Sequence, residues 1–365
     1  MTSSPSVHDP LTGLDVPDLR GMALTVDGSV DPATLGVTLM HEHLFLDLRR
    51  PAWGRRPGED APEAAEPLSL KNLARTRQGG PLAANDLIGD VAEMLPEVLA
   101  FRDAGGGTIV DVTSRPIGRD PRSLRRIARA SGVQVVMGAG WYSPRFHPPE
   151  MDRRTVDDLT AETVHDIVVG ADGTGIRSGV IGEIGAENLP LTDNEWKITR
   201  SAARAGRITG APLTFHCGGH GDERLRVLDA IAEEGLGADR VVFGHVNDLA
   251  VEQAAALPLL RRGATIEFDF LGTTGSRRLH RLPVGDHRVA RGVAELVDAG
   301  FAGQLLLAHD VCQRIQLQQY GGQGFTYISD HFLPALRRHG VPEDAITQIM
   351  VGNPARLLAF DAPRP

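Results

Sequence analysis

Two histidines set two residues apart, His41 and His43, close a short apolar run that begins at Gly36. Side chains alternate faces along a strand, so both rings point to one side and Glu42 to the other. Neutral imidazole nitrogens are good donors to zinc and its first-row neighbours, and a converging pair supplies the first two ligands of a metal site. Surface strands also carry such pairs, so the chemistry depends on what other segments bring to the same place. Four more residues of ligand type stand at the ends of β-branched runs: Glu183, His216, His245 and Asp310. Each has a plainer reading by itself. His216 fits a satisfied core histidine, His245 a helix cap beside Asn247 and Asp248, Glu183 a buried structural acid, and Asp310 the partner of an arginine. Taken together they are four imidazoles and two carboxylates, the complement of two divalent ions rather than one.

The elements that must position these residues follow a regular alternation. Eight short runs, 37–40, 108–112, 133–138, 180–184, 212–215, 240–243, 264–268 and 305–308, are each followed by a segment with helical spacing. The helical segments are 86–103, 123–130, 156–169, 194–208, 222–234, 249–257, 289–299 and 330–339, and the fourth opens on the capping box Thr192-Asp193-Asn194-Glu195. Strand then helix, eight times over, predicts an α/β fold of the TIM (β/α)8 barrel type, in which the C-terminal ends of the strands share one rim. A doubly wound open sheet would want a glycine-rich turn after an early strand, whereas Gly105-Gly106-Gly107 comes before its strand. Residues 22–26 and the turn Asp27-Gly28-Ser29 predict a short N-terminal β lead-in. Residues 1–21 read as an arm and 22–365 as a single barrel domain. Two long loops, 49–85 after the first strand and 312–327 after the eighth, leave from the rim and read as substrate covers.

Composition narrows the class of function. The chain has 365 residues, 41% of them hydrophobic, and a net charge of −9 with no basic stripe, which argues against a nucleic-acid surface. Residues Met1 to Pro5 carry neither a basic region nor an apolar core, so no leader is expected; no uninterrupted apolar stretch approaches membrane length, and Cys217 and Cys312 offer no disulfide framework. The expected setting is cytoplasmic, with a small-molecule substrate and no membrane partner.

The motifs in order, namely the His41-Glu42-His43 strand, Thr108 to Thr113 followed by Ile117-Gly118-Arg119-Asp120, Gly182-Glu183-Ile184-Gly185, Phe215-His216, Gly244-His245 and Ala308-His309-Asp310, resemble the phosphotriesterase family of the amidohydrolase superfamily. Residues 67–73, Glu267-Phe268-Asp269 and Tyr320-Gly321-Gly322 look closest to its phosphotriesterase-related branch. The resemblance implies a binuclear site with His41, His43 and Asp310 on the more buried ion, His216 and His245 on the more exposed one, and Glu183 bridging. Zinc is the expected metal, with manganese, cobalt or iron as alternatives, and a homodimer is possible within the family. Members proper bridge their metals with a carboxylated lysine. Here Glu183 stands in that place, and Lys197 falls beyond it on a helix. On the seventh strand Asp269 stands where a proton-relaying histidine is usual, so it is either a relay or an acceptor behind the metal ligands. Asp310 is expected to take the proton of a metal-bridging hydroxide that attacks the substrate. Substrate contacts are expected from Trp141, Tyr142 and Arg145 after the third strand, His220 after the fifth, Arg278 after the seventh and Arg314 after the eighth. The expected substrate is a carboxylic ester or lactone, ahead of an N-acyl amide or a phosphotriester, with a non-catalytic metabolite-binding barrel as the different class.

Overall fold

The structure is a computed structural model that describes residues 14–49, 66–273 and 284–364. Twelve strands are present among the described residues. The lead-in is an antiparallel pair, β1 (Ala23–Thr25) and β2 (Gly28–Val30). The barrel is built from β3 (Val37–Glu42), β6 (Gly106–Asp111), β7 (Gln134–Ala139), β8 (Val180–Gly185), β9 (Leu213–His216), β10 (Val241–Phe243), β11 (Thr265–Phe268) and β12 (Leu305–Leu307). These eight lie side by side in chain order, β3 at one edge and β12 at the other, and every pairing between neighbours is parallel. The sheet curls until its edges meet, where the Asp310 N–H donates to the His41 carbonyl at 3.2 Å. This is the TIM (β/α)8 barrel that the alternation predicts.

Glu42 makes the closure specific. Its carboxylate is fully buried and accepts from the N–H groups of His309 (2.8 Å) and Val311 (2.9 Å) and from His309 Nδ1 (2.7 Å). The residue that alternation turns away from His41 and His43 therefore staples the first barrel strand to the segment carrying Asp310. Below the rim the barrel is apolar. Met40, Val110, Val136, Val180, Val242 and Leu306, one from each of six strands, form one buried cluster with Leu357 and Leu358. Met40, Val180, Val242 and Leu306 come before His41, Glu183, His245 and Asp310 along the chain, so those polar residues sit above a close-packed apolar floor.

Two helical segments depart from expectation. The segment 86–103 becomes helical only at Val91, because Leu87–Ile88 (β5) pairs antiparallel with Leu46–Asp47 (β4), and the Asp90 side chain caps the helix through Ala92 N at 2.8 Å. The expected helix 249–257 is split into a 3-10 turn, Asn247–Ala250, and a later helix, Gln253–Arg261. Part of the arm (1–13), part of the loop after the first barrel strand (50–65) and Arg278 lie outside the described residues. No helix among the described residues is long and apolar enough to cross a membrane.

Candidate metal centre

The rim brings His41, His43, Glu183, His216, His245 and Asp310 together. Both His41 and His43 leave β3 toward the same point, Glu183 comes from β8, His216 ends β9, and His245 and Asp310 follow β10 and β12 by two and three residues. His43 Nε2 lies 3.4 Å from Glu183 Oε1 and 3.3 Å from Asp310 Oδ1, and His41 Nε2 lies 3.3 Å from Glu183 Oε2 and 3.9 Å from Asp310 Oδ1. On the other side His216 Nδ1 is 2.8 Å from Glu183 Oε2 and 2.7 Å from His245 Nε2, which is itself 3.5 Å from that carboxylate oxygen.

These spacings suit a metal. Four donors placed tetrahedrally around zinc at about 2.0–2.3 Å are separated from one another by about 3.3–3.8 Å. The His41, His43, Glu183 and Asp310 atoms already stand at nearly that separation, while the His216 and His245 nitrogens sit at hydrogen-bond range. The groups His41, His43, Glu183 and Glu183, His216, His245 could each hold an ion, and they share Glu183. His41 adds a direct sign, since neither ring nitrogen has a hydrogen-bond partner among the described residues although the side chain is fully buried.

Charge points the same way. Glu183, Glu267, Asp269 and Asp310 are all buried around these rings, an arrangement that costs heavily without compensating cations. Burial opposes a charge on His43, yet Asp310 and Glu183 outweigh it and lift its pKa to about 9. Burial likewise opposes ionisation of Asp310, and His43, His245 and His41 overcome it, bringing the carboxyl down to about 2. Glu183 is held well below the usual carboxylate range against its burial, chiefly by His216, His245 and His41. Glu183 and Asp310 thus draw protons onto His41, His43 and His245, and divalent ions would replace those protons.

Behind the donors stands a layer of acceptors. Asp269 takes the His245 N–H on both oxygens (3.0 and 2.8 Å), and its oxygens lie 3.1 Å from His245 Nδ1 and 3.3 Å from His41 Nδ1. Thr113 Oγ1 is 2.9 Å from His43 Nδ1. A Cβ on Gly244 would stand 2.7 Å from the Phe215 carbonyl and 2.9 Å from Asp269 Oδ2, so only glycine lets Asp269 approach. His245 and Asp310 adopt left-handed backbone (φ 56° and 50°), a conformation that costs non-glycine residues about 1–3 kcal/mol and gathers at functional sites.

Sequence reasoning missed several members of this layer. Glu267 is fully buried, lies 3.6 Å from His41 Nδ1, and has no hydrogen bond to either oxygen among the described residues. Burial pushes its carboxyl up to about 7 against the pull of His41. Glu187 Oε2 lies 3.2 Å from His216 Nε2. Gln316 braces the loop after β12 by donating to the Asp310 carbonyl at 2.8 Å and accepting from the N–H groups of Cys312 and Gln313. Their partners are remote in sequence or lie in irregular loops, so spacing carries no signal for them.

The residues expected at the substrate mouth divide. Tyr142 is buried with its hydroxyl 3.3 Å from His216 Nδ1, and Trp141 is buried beside it. The Arg145 guanidinium lies over the Phe146 ring, and His220 Nε2 is 2.8 Å from the Glu187 carbonyl. Arg314 is engaged as a loop anchor, donating to Glu93 at 3.2 Å and to the Ala84 carbonyl at 3.1 Å. Lys197 donates to the Met151 carbonyl and Asn194 from the helix Asp193–Thr209. Arg119 is a structural anchor, paired with Asp166 at 2.8 Å and donating to the Gly138 carbonyl.

The model of the phosphotriesterase family matches residues 22–358. The chain belongs to that family. As a family member it is a metal-dependent hydrolase on a TIM barrel, and the cluster at its rim is a candidate metal-binding site. Among curated relatives, the N-acetyltaurine hydrolase of Bos taurus is 33% identical over 349 residues, covering 94% of this chain and 99% of that protein. Among solved structures, a resiniferatoxin-binding protein from Rhodobacter sphaeroides superposes with a TM-score of 0.85 at 39% identity, covering 93% of this chain and 96% of that one. A mutant of a phosphotriesterase-like lactonase from Deinococcus radiodurans gives a TM-score of 0.72 at 28% identity, over 92% and 99% of the two chains.

Proposed function

We propose that this phosphotriesterase-family protein is a binuclear hydrolase that cleaves a carboxylic acyl bond, with small N-acyl amides as its substrate class. The observation that carries the two-ion part is the pair of donor groups, His41, His43, Glu183 and Glu183, His216, His245, that share Glu183. His41, His43 and Asp310 would hold one ion and His216 and His245 the other, with Glu183 between them, a reading supported by Glu183 Oε1 3.4 Å from His43 Nε2 and Oε2 3.3, 2.8 and 3.5 Å from His41 Nε2, His216 Nδ1 and His245 Nε2. Zinc suits nitrogen and oxygen donors at these separations, and manganese, cobalt or iron would be accepted by the same atoms. When bound, the ions supply a water that ionises near neutral pH and polarise the substrate carbonyl.

The chain's own groups do the rest. Asp310 accepts the proton of the attacking water and returns it to the departing amine, a role supported by its burial in the cluster with Oδ1 3.3 Å from His43 Nε2 and 3.9 Å from His41 Nε2. The Tyr142 hydroxyl, buried beside His216, is placed to donate to a substrate oxygen. Asp269 stands behind the rings of His41 and His245, 3.3 and 3.1 Å from their Nδ1 atoms, where it would orient them toward the ions.

The amide part rests on the curated N-acetyltaurine hydrolases, of which that of Bos taurus matches 94% of this chain at about a third identity. It reverses the order expected from sequence, where ester or lactone came first. Lactone hydrolysis is the second reading, favoured by the similarity to the Deinococcus lactonase. A panel of N-acetyltaurine, N-acetyl amino acids, γ-lactones, aryl esters and a paraoxon-type triester, run on zinc- and manganese-loaded protein, tests the choice. The highest kcat/KM should fall on an N-acyl amide. A lactone preferred by about a hundredfold, equivalent to about 2.7 kcal/mol of transition-state binding, would replace the amide reading with the lactone one.

A further inference from the structure

The four histidines do not present themselves alike. His41, His43 and His245 turn Nε2 toward the cluster, and each has an acceptor near its Nδ1: Asp269 for His41 and His245, Thr113 for His43. His216 is reversed. Its Nδ1 faces Glu183 Oε2 at 2.8 Å and His245 Nε2 at 2.7 Å, so any acceptor that fixes its proton must stand at Nε2. Glu187 is there, with Oε2 3.2 Å away.

The placement of Glu187 is built in from outside the cluster. Glu195, fully buried at the third position of the helix Asp193–Thr209, accepts from Thr192 N (2.7 Å) and Thr192 Oγ1 (2.8 Å) with one oxygen. Its other oxygen accepts from Glu187 N (2.8 Å) and Asn188 N (2.9 Å). The helix cap therefore fixes the backbone of the loop after β8 at the residue whose side chain meets His216. From the other side, the Glu187 carbonyl accepts from His220 Nε2 of the loop after β9 at 2.8 Å.

We infer that Glu187 is a positioning residue for His216, keeping the ring proton on Nε2 so that the Nδ1 lone pair faces the cluster and governing the ion held by His216 and His245. A neutral imidazole has one N–H, and an acceptor at one nitrogen decides which nitrogen is free to bind metal. The inference rests on the two-ion reading, and its effect is selective, because Glu187 meets His216 and not the set made by His41, His43 and Asp310.

The test is a zinc titration of metal-stripped full-length protein against a competing chelator, for wild type, Glu187→Ala and Glu187→Gln. Wild type takes up two equivalents. Glu187→Ala should weaken one of them by about 10–100-fold and leave the other within about twofold. Glu187→Gln, whose amide oxygen still accepts from Nε2, should stay within a few-fold of wild type at both. Two unchanged affinities in Glu187→Ala would overturn the inference, and so would an equal loss at both ions, which marks a general structural role. Uptake of fewer than two equivalents by wild type would overturn the two-ion reading itself and the inference with it.

Discussion

Asp269→Asn separates two roles for one carboxylate. In the native structure both oxygens accept from the His245 N–H, at 3.0 and 2.8 Å, and they also lie within 3.3 Å of Nδ1 on His245 and His41. Asparagine has almost the same shape but turns one acceptor into an NH2 group, so whichever way the amide points, a donor meets a donor in a fully buried site. The lost acceptor costs about 1–3 kcal/mol of folding stability. Because His41 and His245 belong to different ligand sets, both ions should bind more weakly, each by about 10–100-fold, which is about 1.4–2.7 kcal/mol apiece. Chelator-competition titration reads both steps, and thermal melting of the metal-free variant reads the fold. Two wild-type affinities with turnover lost would refute the positioning account and give Asp269 the proton-relay role instead.

Gly244→Ala should destabilise the protein by about 1–3 kcal/mol and weaken metal uptake, since the new methyl group meets the Phe215 carbonyl at 2.7 Å, Asp269 Oδ2 at 2.9 Å and His41 Nδ1 at 3.2 Å; denaturant unfolding that matches wild type would contradict the crowding argument. In metal-free protein, the His43 pKa of about 9 lies above its unfolded value, so this group stabilises the fold fully below about pH 6.5 and the contribution is lost as pH rises through about 9. Melting temperatures of stripped protein should therefore fall across that window, whereas metal-loaded protein, in which His43 must be neutral to bind, should not follow them. A flat profile for the stripped protein would remove the charged His43 from the account.

The barrel and the meeting of six residues of ligand type at its rim were legible because both depend on local pattern. β-branched runs alternating with helical spacing placed all eight barrel strands within a residue or two, and strand parity put His41 and His43 together. Glu42 was legible only by half. Parity turned it away from the metal side, but its bonds to His309 and Val311, 267 and 269 residues away, follow from barrel closure. Glu187 escaped notice, and Glu267 counted only as part of a motif, for a related reason, as their neighbours, His216 and His41, come from other strands. The segment 86–103 misled because its first residues are as compatible with β5 as with a helix, and pairing with Leu46–Asp47 decided between them. Arg314 and Tyr142 both lie in loops after strands, and only packing made one a loop anchor and set the other beside His216.

The most direct measurement is metal content by mass spectrometry alongside hydrolysis of the preferred substrate, on protein as purified, after chelation, and after metal is restored. The account predicts about two divalent ions per chain, loss of both metal and turnover on chelation, and return of turnover as the second equivalent is taken up. Full turnover by stripped protein, or full turnover with a single ion bound, would contradict it.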